Sequence, residues 1–234
     1  MGWLLADVPD ELALGVKEGM ALINGSPCAS ALLADAVLGA ERLIDVAAAV
    51  FALACAAVGV PAATFDRRLE ALWGDPAQTL ALQVLRGLLE GADQLPGEEH
   101  PQPPVSFRIL PRVLGNAFRA LAAGRDAADI ALPAVSDNPV FLFGDNVDDP
   151  GELVSNGRFH NGAAPACIDG LTFALADLSQ LAQHHVQRLH QPPCPPRTGF
   201  AGPGDDADGR RRLCRGGPCR RGALAVAASR LRSE

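Results

Sequence analysis

The chain contains no tyrosine, and Lys17 is its single lysine, so nearly all of its positive charge is carried by arginine. Acidic residues outnumber basic ones by 27 to 20, giving a formal charge of −7. Bulk electrostatic attraction to nucleic acid is thereby excluded. No dense cysteine framework exists. Cys28, Cys55, Cys167, Cys194, Cys214 and Cys219 are scattered along a chain too long for a small disulfide-stapled domain. Basic residues are missing from the first ten positions, where Asp7 and Pro9 interrupt an apolar start, so no secretory signal pattern is present. A reducing cytoplasm is the expected setting. Segment 46–65 carries no charge, but it is rich in alanine and meets Gly59 and Pro61, which favours a buried helix over a membrane span. Runs with the two-residue alternation of strands are absent.

Hydrophobic residues make up 48% of the 234, enough to build a core for one domain or two small ones. Their spacing predicts an all-α bundle of long helices. Residues 27–58 read as one helix, stopped by Gly59-Val60-Pro61. A second is expected over 76–90, with Asp75 as its cap, Pro76 in the first turn and Leu80, Val84, Leu85 and Leu88 as its apolar face. Residues 107–123 read as a third, ended by Gly124. The most regular covers 165–190, with Ile168, Leu171, Leu175 and Leu178 on one face. Stretches 91–104 and 133–157 read as loops from their Gly, Pro, Asp and Asn content. Beyond His190 the composition changes. Residues 191–234 are rich in proline and glycine and hold nine arginines against four acids. This predicts a disordered tail or a shifted reading frame, set apart from a helical domain over 1–190.

Several segments carry a resemblance, in order along the chain. Lys17-Glu18-Gly19-Met20-Ala21-Leu22-Ile23-Asn24-Gly25-Ser26 resembles KEGLALINGT of the aromatic amino acid ammonia-lyases, which include histidine, phenylalanine and tyrosine ammonia-lyases and related aminomutases. Phe65-Asp66-Arg67-Arg68 with Gly74-Asp75-Pro76-Ala77-Gln78 is similar to FDPRIH…HPGQ. Gln102-Pro103-Pro104-Val105-Ser106-Phe107-Arg108 is similar to the start of QDxYSLRCxPQ. Ser136-Asp137-Asn138-Pro139-Val140 and Ser155-Asn156-Gly157-Arg158-Phe159-His160 are similar to SDNPL and SGGNFH. The resemblance covers about residues 5–190 and leaves the tail out.

It implies the helical fold of that family and elimination of ammonia from an α-amino acid to give an α,β-unsaturated acid. The implied cofactor is methylidene-imidazolone (MIO), an electrophile formed by cyclisation of an internal Ala-Ser-Gly. A weakly acidic β-proton must be removed from a well-held substrate. Arg108 falls on the family's carboxylate-binding arginine, whose planar fork suits two-point contact. Asn138 falls on the asparagine that assists it, Asn24 and Gln102 on positions lining the MIO group, and Phe159 on an aromatic pocket wall. Relatives form homotetramers, so the implied partners are the amino acid substrate and further copies or a complementing fragment.

Away from that resemblance, each residue has a plainer reading. Asn24-Gly25 is a turn signal, Asp137-Asn138-Pro139 an Asx-type loop, and Phe159 core packing. His160 is a loop histidine, and no metal site is expected. His184 and His185 read as a solvated or interface face, and Cys214 with Cys219 as no zinc pair.

Departures are specific. The family's Ala-Ser-Gly lies a few dozen residues before the KEG motif, whereas sixteen residues precede Lys17. Ala29-Ser30-Ala31 is no substitute, because the cyclising residue must be glycine. Val105 stands where the family has a tyrosine, and Arg112 where it has a glutamine. The expectation is a central piece of a lyase, inactive alone. Alternatives are one half of a split lyase or a non-catalytic helical scaffold.

Overall fold

A computed structural model describes residues 13–91 and 102–190. Proline and glycine set its boundaries. Helix α1 is Glu18–Ile23 and α2 is Pro27–Val58. Gly59, at φ 74°, ends α2, with its N–H donating to the Ala56 carbonyl and the Val60 N–H to that of Cys55. This left-handed glycine closure satisfies carbonyls that the last turn leaves open. A 3-10 turn at Ala62–Phe65 and α3, Arg68–Trp73, lead to α4, Pro76–Leu88. Asp75 caps α4 as expected, accepting from the N–H groups of Ala77 and Gln78 at 3.0 and 3.4 Å. Arg119 holds the same carboxylate at 2.7 and 2.6 Å.

Helices α5, Val105–Arg108, and α6, Leu110–Ala131, replace the single helix expected over 107–123. Pro111 explains the break, since it cannot donate to the Phe107 carbonyl and its ring crowds that turn. Gly124 does not end α6, which runs on to Ala131. A glycine inside a helix costs conformational entropy but does not forbid the turn. Helix α7, Ala163–His190, is the last helix among the described residues.

Strands were not expected, yet Val140–Leu142 (β1) pairs antiparallel with Glu152–Val154 (β2), in the register Val140–Val154, Phe141–Leu153 and Leu142–Glu152. Three residues per strand, largely exposed, are too few to print an alternation in the sequence. Among the described residues no helix is long and apolar enough to cross a membrane. The charge-free 46–65 run belongs partly to α2, one face of which is core.

The described residues divide into two compact units, 13–37 with 124–168, and 38–91 and 102–123 with 169–190. The second holds the main core. Ile44, Phe51 and Cys55 of α2, Ala81, Leu82 and Leu85 of α4, Phe107 of α5, Leu110 and Leu114 of α6, and Leu178 and Leu181 of α7 are buried together. Of the predicted α4 face, Leu85 is buried and Val84 packs against the core, whereas Leu80 and Leu88 are 45% and 46% exposed and Ala81 and Leu82 are buried instead.

His185 also departs from expectation. It is 2% exposed, stacked on Phe107 with ring centroids 3.9 Å apart and edge-on to Phe51 at 5.2 Å. Neither ring nitrogen has a partner of good hydrogen-bond geometry. Burial pushes its pKa below the ordinary histidine value, which the Ser106 backbone opposes only in part. Burial also acts on Cys55 of the core, pushing its pKa up to about 12.

Leu82→Ala should lower the unfolding free energy by about 2–5 kcal/mol, and Leu80→Ala by about 1 kcal/mol or less; urea titration of both variants separates the two faces. His185 gives a pH dependence of known sign. Its folded pKa lies below its unfolded one, so the unfolded chain takes up the proton first. Stability contributed here is complete above about pH 6.5 and falls as the pH drops toward the lower folded pKa. His185→Phe should flatten that acid limb in melting curves recorded from pH 7.5 down to 5.

Candidate functional site

In the first unit a polar knot joins residues 17–26 to residues 136–139. Gly25 makes the approach possible. It sits at φ 86°, and a Cβ there would lie 2.5 Å from the Ser136 hydroxyl and 2.7 Å from its carbonyl oxygen. Only glycine combines that conformation with that clearance. The Ser136 hydroxyl accepts from the Ser26 N–H at 3.1 Å. Lys17, in a left-handed conformation at φ 70°, donates from Nζ to the Asp137 carboxylate and to the Pro139 carbonyl. Lys17 holds the Asp137 carboxyl below the usual carboxylate range, and the Asn138 N–H, donating at 2.7 Å, adds to this.

The knot fixes which way two amides face. Asn24 donates from Nδ2 to the Asn138 carbonyl at 3.2 Å. Its Oδ1 therefore remains as an acceptor. Asn138 accepts at Oδ1 from the Asn156 N–H at 2.7 Å and from the Ser155 hydroxyl at 3.3 Å. A backbone N–H can only donate, so Oδ1 is assigned by its partner and Nδ2 is the end left to donate. Asn156 closes the loop by donating from Nδ2 to the Asp137 carbonyl at 3.1 Å. Two adjacent, half-buried amides thus offer one acceptor and one donor, without partners among the described residues.

The structure brings Asn24 and Asn138 together. Phe159 lies in the same unit, 49% exposed, and is a surface aromatic where core packing was the plainer expectation. Gln102 and Arg108 belong to the second unit and are exposed. Arg108 ends α5 and has no acidic partner among the described residues, so its fork is open to a ligand. Ser30 does not form an MIO precursor. It lies in the first turns of α2, with its N–H and hydroxyl both donating to the Ser26 carbonyl and its hydroxyl accepting from Asn161 at 3.2 Å. Ala31 stands where glycine is required, so Ala29-Ser30-Ala31 does not fit as a precursor of that group. Sequence reasoning passed over Lys17, Ser136 and Asn156. Lys17 had a signal, as the one lysine in an arginine-rich chain.

A cavity of about 250 Å³ bordered by Asn116, Arg119, Phe173 and Asp177 contains none of these residues. Among the described residues no cluster of metal-ligating side chains occurs. Gly25→Ala is expected to break the Asn24–Asn138 bond at a cost of more than about 1 kcal/mol. The Asn24 side-chain amide signals in a proton–nitrogen correlation spectrum should then collapse toward free-amide positions, while signals from the second unit's core stay put.

The aromatic amino acid lyase family model matches residues 6–197. Histidine ammonia-lyase of Symbiobacterium thermophilum is 36% identical over 183 residues, covering 77% of this chain and 35% of that protein. The enzyme of the same name from Geobacillus kaustophilus is 34% identical, with the same coverage. Histidine ammonia-lyase from Trypanosoma cruzi superposes with a TM-score of 0.68 at 27% identity, covering 82% of this chain and 35% of that one. Tyrosine aminomutase from Streptomyces globisporus superposes with a TM-score of 0.68 at 25% identity, covering 80% and 39%. The chain spans about a third of the length of the curated relatives it matches. With a family model matching most of its residues and helices laid out as in solved relatives, this chain belongs to the aromatic amino acid lyase family.

Proposed function

We propose that this chain supplies the amide part of an α-amino-acid-binding site in a cytoplasmic, histidine ammonia-lyase-like assembly. The orientation of the two amides carries the reading. Asn24 Oδ1 is an acceptor suited to an α-ammonium, and Asn138 Nδ2 a donor suited to an α-carboxylate. Phe159 of the same unit offers an aromatic face for a substrate ring. In the second unit, Arg108 and Gln102 keep by motif resemblance the family's cationic two-point contact for a carboxylate and a further amide.

The chain's 234 residues contain no Ala-Ser-Gly. In this proposal the electrophile of the family is supplied by residues outside these 234, and these 234 residues alone do not release ammonia. Exposed apolar residues on α2 support assembly with further helices. Leu32, Leu43, Val46 and Val50 fall on one stripe of that helix, each more than half exposed.

Purified chain incubated with L-histidine or L-phenylalanine should yield neither ammonia nor the ultraviolet absorbance of an α,β-unsaturated acid. Mixing it with a polypeptide bearing the family's Ala-Ser-Gly segment should restore both, and Arg108→Gln should abolish the restored activity by about 100-fold or more. Ammonia release by the chain alone would overturn the proposal.

A further inference from the structure

Lys17 and Asp137 take no part in the binding roles assigned above, yet they stand at the root of the knot. The Asp137 carboxylate is used at both oxygens. Oδ2 accepts from Lys17, and Oδ1 accepts from the N–H of Asn138. The same Lys17 ammonium donates to the carbonyl of Pro139. The cation thus grips the turn on both sides of Asn138, through the residue before it and the residue after it. An ammonium with three rotatable donors can serve two acceptors lying in different directions, which a planar guanidinium serves less readily. This is the one lysine in a chain whose other basic side chains are all arginine. Lys17 also holds a left-handed backbone conformation that is unfavourable for a residue with a Cβ. Such a conformation persists where its surroundings over-determine it.

We infer that Lys17 is a positioning residue, whose bridge between the Asp137 carboxylate and the Pro139 carbonyl sets the Asn138 amide beside Asn24. It touches no ligand itself. Its consequence for amino acid binding rests on the proposed function, whereas its hold on Asn138 stands independently.

Lys17→Gly tests this, because glycine adopts the same backbone conformation without strain while removing the side chain with its ammonium. In the full-length chain, this variant should displace the Asn138 side-chain amide resonances and leave the melting transition of the second unit's core in place. The dissociation constant for L-histidine or L-phenylalanine should rise about tenfold, the scale of a lost charge-assisted hydrogen bond. Ethylammonium chloride should restore most of the affinity and return the Asn138 signals, and sodium chloride at equal ionic strength should not. Asp137→Asn, which breaks the pair from the other side without altering the Lys17 backbone, should reproduce the loss without amine rescue.

Unchanged Asn138 signals in both variants, or a loss in Lys17→Gly that ethylammonium does not repair, would overturn the inference. If the unsubstituted chain binds neither amino acid, the proposed function fails. The inference is then decided by the Asn138 resonances alone, which must still move in Lys17→Gly and return with ethylammonium.

Discussion

The close approach of Gly25 to Ser136 is the constraint on which the first unit depends. More than a hundred residues of chain separate the two, and nothing larger than hydrogen fits between them. That contact lets the Ser26 N–H reach the Ser136 hydroxyl, the Asn24 amide reach the Asn138 carbonyl, and Lys17 reach Asp137 and Pro139. Loop closure over such a span is entropically costly, and no single hydrogen bond offsets it. Several converging ones do, and they fix amide orientations that a solvated loop would leave free. The unit that carries the Asn24–Asn138 pair is thus tied together by polar satisfaction across this approach. The second unit is held by a buried apolar core through α2, α4, α6 and α7.

Helices built on strong local signals were legible in the sequence. Pro27 and Gly59 bracket α2, and Asp75-Pro76 opens α4 as its chemistry demands. What could not be read was long-range. Leu80 and Leu88 look as apolar as Leu82, and only the packing partner shows which side of α4 is covered. The β1–β2 hairpin is too short to leave a pattern. His185 reads as polar from its letter alone, and its burial is decided by Phe51 and Phe107, which come from distant parts of the chain.

The candidate site divides the same way. Asn24, Gln102, Arg108, Asn138 and Phe159 were reached through motif resemblance, since each alone has a commonplace structural role. The geometry adds what the motifs do not contain, namely which end of each amide is committed. The Asn156 N–H, a group that can only donate, settles Asn138, and the Asn138 carbonyl, which can only accept, settles Asn24. The pair then leaves one acceptor and one donor free among the described residues, which the proposed function assigns to the two charged ends of an α-amino acid. Residues 1–12, 92–101 and 191–234, including the arginine-rich tail, lie outside the described residues.

Amide orientation can be observed directly through scalar couplings transmitted across hydrogen bonds. The account predicts a coupling between the Asn156 backbone nitrogen and the Asn138 side-chain carbonyl carbon, and another between Asn24 Nδ2 and the Asn138 backbone carbonyl carbon. Their absence, together with a coupling from Asn138 Nδ2 to any protein carbonyl, would mean that the donor is already spent, and would contradict the reading of this knot as an amino-acid-binding site.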